Sequence, residues 1–271
     1  NFANIAITGR KSTIGFGTLS KRITDRNNTN ELYYDISTNA ELGKFFNPQY
    51  GIRIPFYFSF SKLISTPEYS PFNQDIKLNQ SLVALNNKKQ DSIRRIIQEY
   101  TTRRSFIFNN VRKLRTDTKR RIKPWDIENI TLSYAYSEMQ LRSYTIKANI
   151  HKSYRAILDY KYTKSTANYY KPFKGITNDK LAIFKDQGFQ LLPTILNFRM
   201  DINRIYSENT FRNNSNNNIL PTYYNKNFNI NRIYGISWDI TPSLRLDFNA
   251  TNYAIVHDLK DRIDGIQVDT L

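Results

Sequence analysis

The stretch KPWDIENITLSYAYSE, Lys123 to Glu138, decides how the rest of the chain is read. Within it Ile130, Leu132, Tyr134 and Tyr136 fall on one side, and Asn129, Thr131, Ser133 and Ala135 fall on the other. Successive side chains of a β-strand point to opposite faces. The run therefore predicts a strand whose two faces meet different solvents.

The same rhythm spreads outward. Leu32, Tyr34, Ile36, Thr38, Ala40 and Leu42 alternate with polar neighbours, and Ile52, Ile54, Phe56, Phe58 and Phe60 do so with Arg53, Tyr57, Ser59 and Ser61 between them. Further strands are expected over roughly 2–9, 13–24, 101–115, 127–138, 143–150, 154–163, 190–206, 227–241 and 243–255. The last two read as a hairpin about Thr241-Pro242, with Tyr234, Ile236, Trp238 and Ile240 matched by Leu244, Leu246 and Phe248. That is between about 10 and 12 strands, and the expected class is all-β.

One segment changes period. In NNKKQDSIRRIIQEY, Ile93, Ile96, Ile97 and Tyr100 recur at helical spacing with Asp91 available as an N-cap, which predicts a short amphipathic helix inside a long loop from 65 to 100. Its apolar stripe is a candidate partner or gating contact, or it covers its own loop. Two more long connections are expected at 164–189 and 207–226, the latter with the polar tip RNNSNNN at 212–218. Counting strands places long loops at both ends of the sheet.

Composition narrows the solvent question. Mean hydropathy is only −0.60, yet the chain carries 19 Tyr and 17 Phe. No apolar run approaches the ~18 residues of a membrane helix. In hydrocarbon every backbone polar group must be paired, so the remaining spanning structure is a closed barrel. A large barrel shows lipid one strand face and water the other, which keeps average hydropathy low and alternation high. Ile52, Ile54, Phe56, Phe58, Phe60, Ile130, Leu132, Tyr134 and Tyr136 are the candidate lipid-facing residues. A stand-alone porin or receptor barrel and a soluble β-sandwich also alternate and stay open at this point.

The formal charge of +17 favours phosphate-bearing partners such as lipid or lipopolysaccharide. With no cysteine, disulfides and thiolate metal sites are excluded within the chain. Chemistry is sparse. TGRKST at 8–13 has Arg10 where a phosphate-binding loop needs glycine. DRNNTN at 25–30 lacks the central glycine and distal glutamate of a calcium loop, with Ile36 at the latter position. Asp126 and Glu128, two apart, are expected on one strand face as rim residues or ion pairs with the 119–123 basic run. His151 and His257 have no zinc or triad company. VRKLRTDTKRRIK, 111–123, is basic, but no nucleic-acid-binding motif frames it. No catalytic residue, cofactor or metal is expected, nor nucleic acid as a partner.

The opening NFANIAITGR does not read as a secretory leader, and GIQVDTL does not read as a closing aromatic strand, so both ends are expected to continue into a longer chain. STIGFGTLS (12–20), YYDISTNAELGKFF (33–46), IPFYFSFSKLISTPEYSPFNQDIKL (54–78), DSIRRIIQEYTTRRSFIFNNVRK (91–113) and PWDIENITLSYAYSE (124–138) resemble the SprA/Sov family, outer-membrane translocons of the type 9 secretion system. HKSYRAILDYKY (151–162), LLPTILNFRMDINRIYSE (191–208) and LRLDFNATNYA (244–254) extend the resemblance more loosely.

The resemblance implies that residues 1–271 are a contiguous arc of a very large single-chain antiparallel transmembrane β-barrel in the outer membrane of a Gram-negative bacterium of the Bacteroidetes type. It implies export of folded cargo proteins bearing a C-terminal secretion domain, a link to gliding motility, and no enzymatic activity. The implied partners are the remainder of the same chain, a plug protein and a PorV-like shuttle barrel.

Overall fold

The computed structural model describes residues 2–16, 27–83, 86–117, 119–164, 169–172, 188–212 and 220–256. In chain order its strands and helices are β1 (Ala3–Phe16), β2 (Asn27–Glu41), β3 (Ile52–Arg53), β4 (Pro55–Pro67), β5 (Tyr69–Ser70), β6 (Asn73–Lys77), α1 (Leu78–Val83), α2 (Asn87–Ile97), β7 (Glu99–Lys113), β8 (Ile130–Arg142), β9 (Ile146–Thr163), β10 (Ile195–Phe211), β11 (Tyr223–Thr241) and β12 (Leu244–Val256). One sheet holds nearly all of them, in the order β1-β2-β4-β7-β8-β9-β10-β11-β12, with β3 added beside β7. Every pairing is antiparallel between neighbours in that order. β1 and β12 form open edges among the described residues.

The long strands run from 13 residues in β4 to 19 in β11. Globular strands centre near about 5–6 residues, and a tilted membrane-spanning strand needs about 9–11. These strands are longer than either requirement.

Several boundaries differ from the sequence expectations. The runs 2–9 and 13–24 are not separate strands: β1 continues through Gly9–Ser12, held by the ladder from Gly9↔Tyr34 to Ser12↔Glu31, and 17–24 lie outside the described residues. The runs 143–150 and 154–163 are likewise one strand, because His151, Lys152 and Ser153 keep pairing with β8 and β10 on both sides. The run expected at 127–138 begins as a 3-10 turn over Ile127–Asn129, fastened where the Asn129 amide donates to the Lys123 and Pro124 carbonyls. Asp126 and Glu128 therefore do not share a strand face. The run expected at 190–206 is shifted to 195–211.

The long loop expected at 65–100 has structure of its own. β4 extends to Pro67, β5 and β6 form a small hairpin, and α1 precedes α2. α2 starts earlier than predicted, with Asn86 rather than Asp91 at its N-cap position, and Tyr100 belongs to β7. Leu78 and Leu82 of α1 and Ile97 of α2 are buried together, with Ile93 packed against them. Two residues of the helical stripe, Ile93 and Ile97, thus pack against α1. The hairpin at Thr241-Pro242 is present as expected, and connections at both ends of the sheet include long ones. Most of 164–189, residues 213–218 of the tip at 212–218, and Asp25, Arg26 and His257 lie outside the described residues.

Candidate functional site

Directly opposed residues in a ladder share a face, so the register sorts every side chain. Phe58 stands opposite Phe106, Phe106 opposite Tyr136, and Tyr136 opposite Tyr154. Their rings form a continuous row, with centroids 5.1, 6.0 and 4.9 Å apart. Phe56 and Phe108 add a parallel contact at 4.9 Å, and Phe198 and Tyr234 another at 5.1 Å. Ile5 and Ile7 reach the same face through Thr38 and Ile36, and Leu158, Met200, Ile230 and Phe248 complete it on the other side.

A bulge in β7 preserves this sorting. Asn109 and Asn110 stand against Ser133 alone, and Asn110 has φ 59, a left-handed conformation that asparagine tolerates. The Asn110 N–H donates to Ser133 Oγ at 2.9 Å. Unbroken alternation from Phe108 would bring Asn110 and Arg112 onto the aromatic face; the bulge brings Val111 there instead, opposite Leu132. Ile52, opposite Lys113, keeps that parity. Of the nine candidate lipid-facing residues, eight lie on one face by register. Ile54 lies between β3 and β4, its N–H donating to Glu41 Oε1 at 2.6 Å.

No second layer covers this apolar face among the described residues. Ile7 is 75% exposed, Leu132 47% and Phe248 50%. Among the described residues the cluster of buried apolar side chains, Leu78, Leu82 and Ile97, belongs to the α1–α2 unit and not to the sheet. A sandwich would have placed its core on the aromatic face. An uncovered apolar surface of this extent marks a contact with something other than water.

The edge of the apolar band crosses the strands obliquely. Followed toward the α1–α2 end of the sheet, the first charged side chain on this face is Lys11 on β1, Lys62 on β4, Arg104 on β7, Glu138 on β8, Lys152 on β9, Arg204 on β10 and Arg232 on β11. Along the ladder Lys11 arrives at Arg142 on β8, whereas Arg232 arrives at Leu132, ten positions away on the same strand. Ten residues at about 3.3 Å, over seven strand steps of about 4.8 Å, give a slope near one and a tilt of roughly 45°. Membrane barrel strands tilt by about 35–45°. On β9 the band from Lys152 to Tyr162 is then about 23 Å tall along the normal, close to the ~25 Å apolar band of outer-membrane barrels.

Aromatic residues with polar tips stand at both margins. At the far margin Trp125 is 73% exposed, the Tyr160 hydroxyl donates to the Pro124 carbonyl at 2.7 Å, and Trp238 Nε1 donates to the Gln190 carbonyl at 2.7 Å. At the charged margin Glu138 accepts from Arg104 Nε at 2.5 Å, Tyr136 at 2.7 Å and Gln140 at 2.5 Å. Tyr206 and Glu208, both buried, join at 2.9 Å. Such amphipathic rings suit a membrane–water boundary.

The opposite face is predominantly polar, with scattered apolar side chains such as Leu63, Ile107 and Ile157 among its charged, Ser and Asn residues. Arg155 grips Asp201 with two bonds at 3.1 and 2.5 Å, Arg199 meets Asp159 at 3.4 Å, and Arg245 meets Asp247 at 3.0 Å. Ser59 and Ser105 share a hydrogen bond of 2.6 Å, and His151 Nδ1 lies 2.8 Å from Ser207 Oγ. A hollow of about 470 Å³ on this face is lined by Arg155, Asp201, Asn229 and Asn231, and the Oδ1 atoms of both asparagines lack a protein partner. Buried amide oxygens of this kind require water.

The other candidates take structural places. TGRKST lies within β1. Asp126 pairs with Arg120 at 2.8 Å, and Glu128 with Lys113 at 3.5 Å. Among the described residues no group of His, Asp and Glu has metal-site geometry. What sequence reasoning missed was the grouping of Lys62, Arg95, Tyr100 and Arg142 around one cavity; the four span three strands and a helix.

No curated protein matches the chain. A family model, SprA_N, described as motility related/secretion protein, matches residues 1–82, from β1 through most of α1. That segment contains three of the long tilted strands and the blocks at 12–20, 33–46 and 54–78. Through residues 1–82 the chain is SprA-like, similar to this motility- and secretion-related family.

Proposed function

We propose that this sheet is an arc of a very large transmembrane β-barrel in the bacterial outer membrane, forming part of the wall of a protein-conducting translocon of the type 9 secretion system. The observation that carries the reading is the uncovered apolar band, tilted and about as tall as outer-membrane hydrocarbon. The aromatic face meets lipid. The polar face, with its paired charges and Asn and Ser side chains, borders a water-filled passage for folded cargo.

Both edges support an arc rather than a complete barrel. In hydrocarbon the free N–H and C=O groups of β1 and β12 each need a neighbouring strand, so further strands of a longer chain would close the wall. The α1–α2 unit stands beside the charged margin, where a plug or shuttle partner could dock. The wall itself performs no catalysis in this reading.

The test is cysteine scanning in the full-length protein in cells. Cysteines at Phe58, Leu132 and Phe248 should be blocked to a water-soluble maleimide and, once labelled with a fluorophore, quenched by brominated lipid. Cysteines at Ser105 and Ser133 should react with the maleimide and escape quenching. The opposite pattern, or equal reactivity, rejects the membrane wall. An immunoblot of outer membranes with an antibody to residues 86–100 separates translocon from small porin: a band several times larger than 32.0 kDa is expected, and one near that mass rejects the translocon.

A further inference from the structure

Just beyond the apolar band, at its α1–α2 margin, the sheet holds a cavity of about 510 Å³, within the range of small-ligand sites. Lys62, Arg95, Tyr100, Gln140, Arg142 and Lys147 are among its lining residues. Lys62 Nζ lies 5.3 Å from the Tyr100 ring centroid, and Arg142 Cζ lies 4.9 Å from the same centroid. Two strand cations therefore share one aromatic ring, and α2 brings a third cation, Arg95, to the same cavity.

Among the described residues no carboxylate pairs with Lys62, Arg95, Arg142 or Lys147. Of the acids on this face, Glu138 is already occupied by Arg104, Tyr136 and Gln140, and Glu208 accepts from the Tyr206 hydroxyl. Glu99 precedes Tyr100 in β7 and so points to the opposite face. Arg212 adds to the crowding: burial first, and then the Arg142 charge, holds its guanidinium below the ordinary value. Like charges gathered without a counter-ion repel, and an anion that enters removes that cost.

Resting on the membrane-wall reading, we propose that this cavity binds the phosphate group of a lipid headgroup. The chemistry is phosphate recognition by guanidinium and ammonium groups, as a forked Arg and a compact Lys provide. Position selects lipid over soluble phosphate. Lys62 is the next residue on its face after Phe60, and Gln140 and Arg142 follow Glu138 in the same way, so the cations stand at headgroup height above the acyl chains. An acyl chain would then lie along Phe60 and Phe106.

The experiment uses the full-length protein in detergent, immobilised, with radiolabelled bis-phosphorylated lipid A as probe. Lys62→Gln with Arg142→Gln should weaken retention by about a factor of ten or more, and dephosphorylated lipid A should bind the unaltered protein equally weakly. Arg95→Gln, which leaves the strands intact, should weaken it several-fold. Sodium pyrophosphate at matching concentration should not displace the lipid. Unchanged affinity in both variants, or displacement by pyrophosphate, overturns the site.

A fluorophore on cysteine at Leu132, tested with brominated lipid in the same preparations, separates the two readings. Quenching in wild type and variant alike shows that the wall is intact, so that unchanged lipid A affinity then overturns the cavity alone. Absence of quenching in the wild type overturns the wall and the cavity together.

Discussion

Leu132→Arg tests the proposed membrane face most directly, because its depth follows from the register. Leu132 lies six residues along β8 from Glu138 at the charged margin. At about 3.3 Å per residue and a tilt of roughly 45°, that is about 14 Å below the margin, near the middle of a ~25 Å apolar band. Arginine at the midplane of a barrel's lipid face costs about 2–4 kcal/mol, and near the interface about 0–1.

Tyr136→Arg, two residues from the margin, should therefore cost less than Leu132→Arg. Ser133→Arg, adjacent but on the polar face, should cost almost nothing. The assay is the protease-resistant, membrane-assembled fraction of the full-length protein across this series, together with its secretion activity. On a water-facing strand Leu132→Arg would stay within about 0.5 kcal/mol, as for other exposed sites. Equal assembly of the Leu132 and Ser133 variants would refute both the facing and the depth argument.

Glu138→Ala strips the acceptor from Arg104, Tyr136 and Gln140 at once; a loss of roughly 1.5–3 kcal/mol is expected, and a double-mutant cycle with Arg104→Ala should show coupling. Leu82→Ala opens a cavity between α1 and α2, so hydrogen exchange should show lost protection there, by about 2–5 kcal/mol, with the sheet amides unchanged. Glu68 is held below its ordinary 4.5, first by the hydrogen bond from Lys77 and then by that from Asn28. A depressed carboxyl contributes stability above its ordinary value and loses it as pH falls through the lower folded value. Protection of the β5–β6 hairpin should therefore be flat from neutral pH to about 4.5 and fall below it, and Glu68→Gln should abolish that acid step.

Alternation is a local property, and it is why the strands and their two faces were legible from the residues alone. Ile130–Tyr136 and Phe56–Phe60 alternate because each residue's face follows from its neighbour's, and the Thr241-Pro242 turn is written in its own residues. The blocks at 12–20, 33–46 and 54–78 carried the family resemblance in the same direct way. Ends of strands were less legible. Polar residues such as Gly9–Ser12 or His151–Ser153 look like turns in isolation, yet continuous ladders on their flanks keep them extended.

Tertiary structure alone decided what depends on register. The Asn109–Asn110 bulge resets parity in β7, and nothing local to Val111 announces it. The tilt emerges only when Lys11, Lys62, Glu138 and Arg232 are placed on one ladder, since each strand by itself shows an edge but no slope. The apolar stripe of α2 needed α1 to show what it packs against. The basic cavity draws Lys62, Arg95, Tyr100 and Arg142 from four elements. Hydrogen-bond pairing between distant segments set those neighbours, and pairing is a property of the assembled sheet.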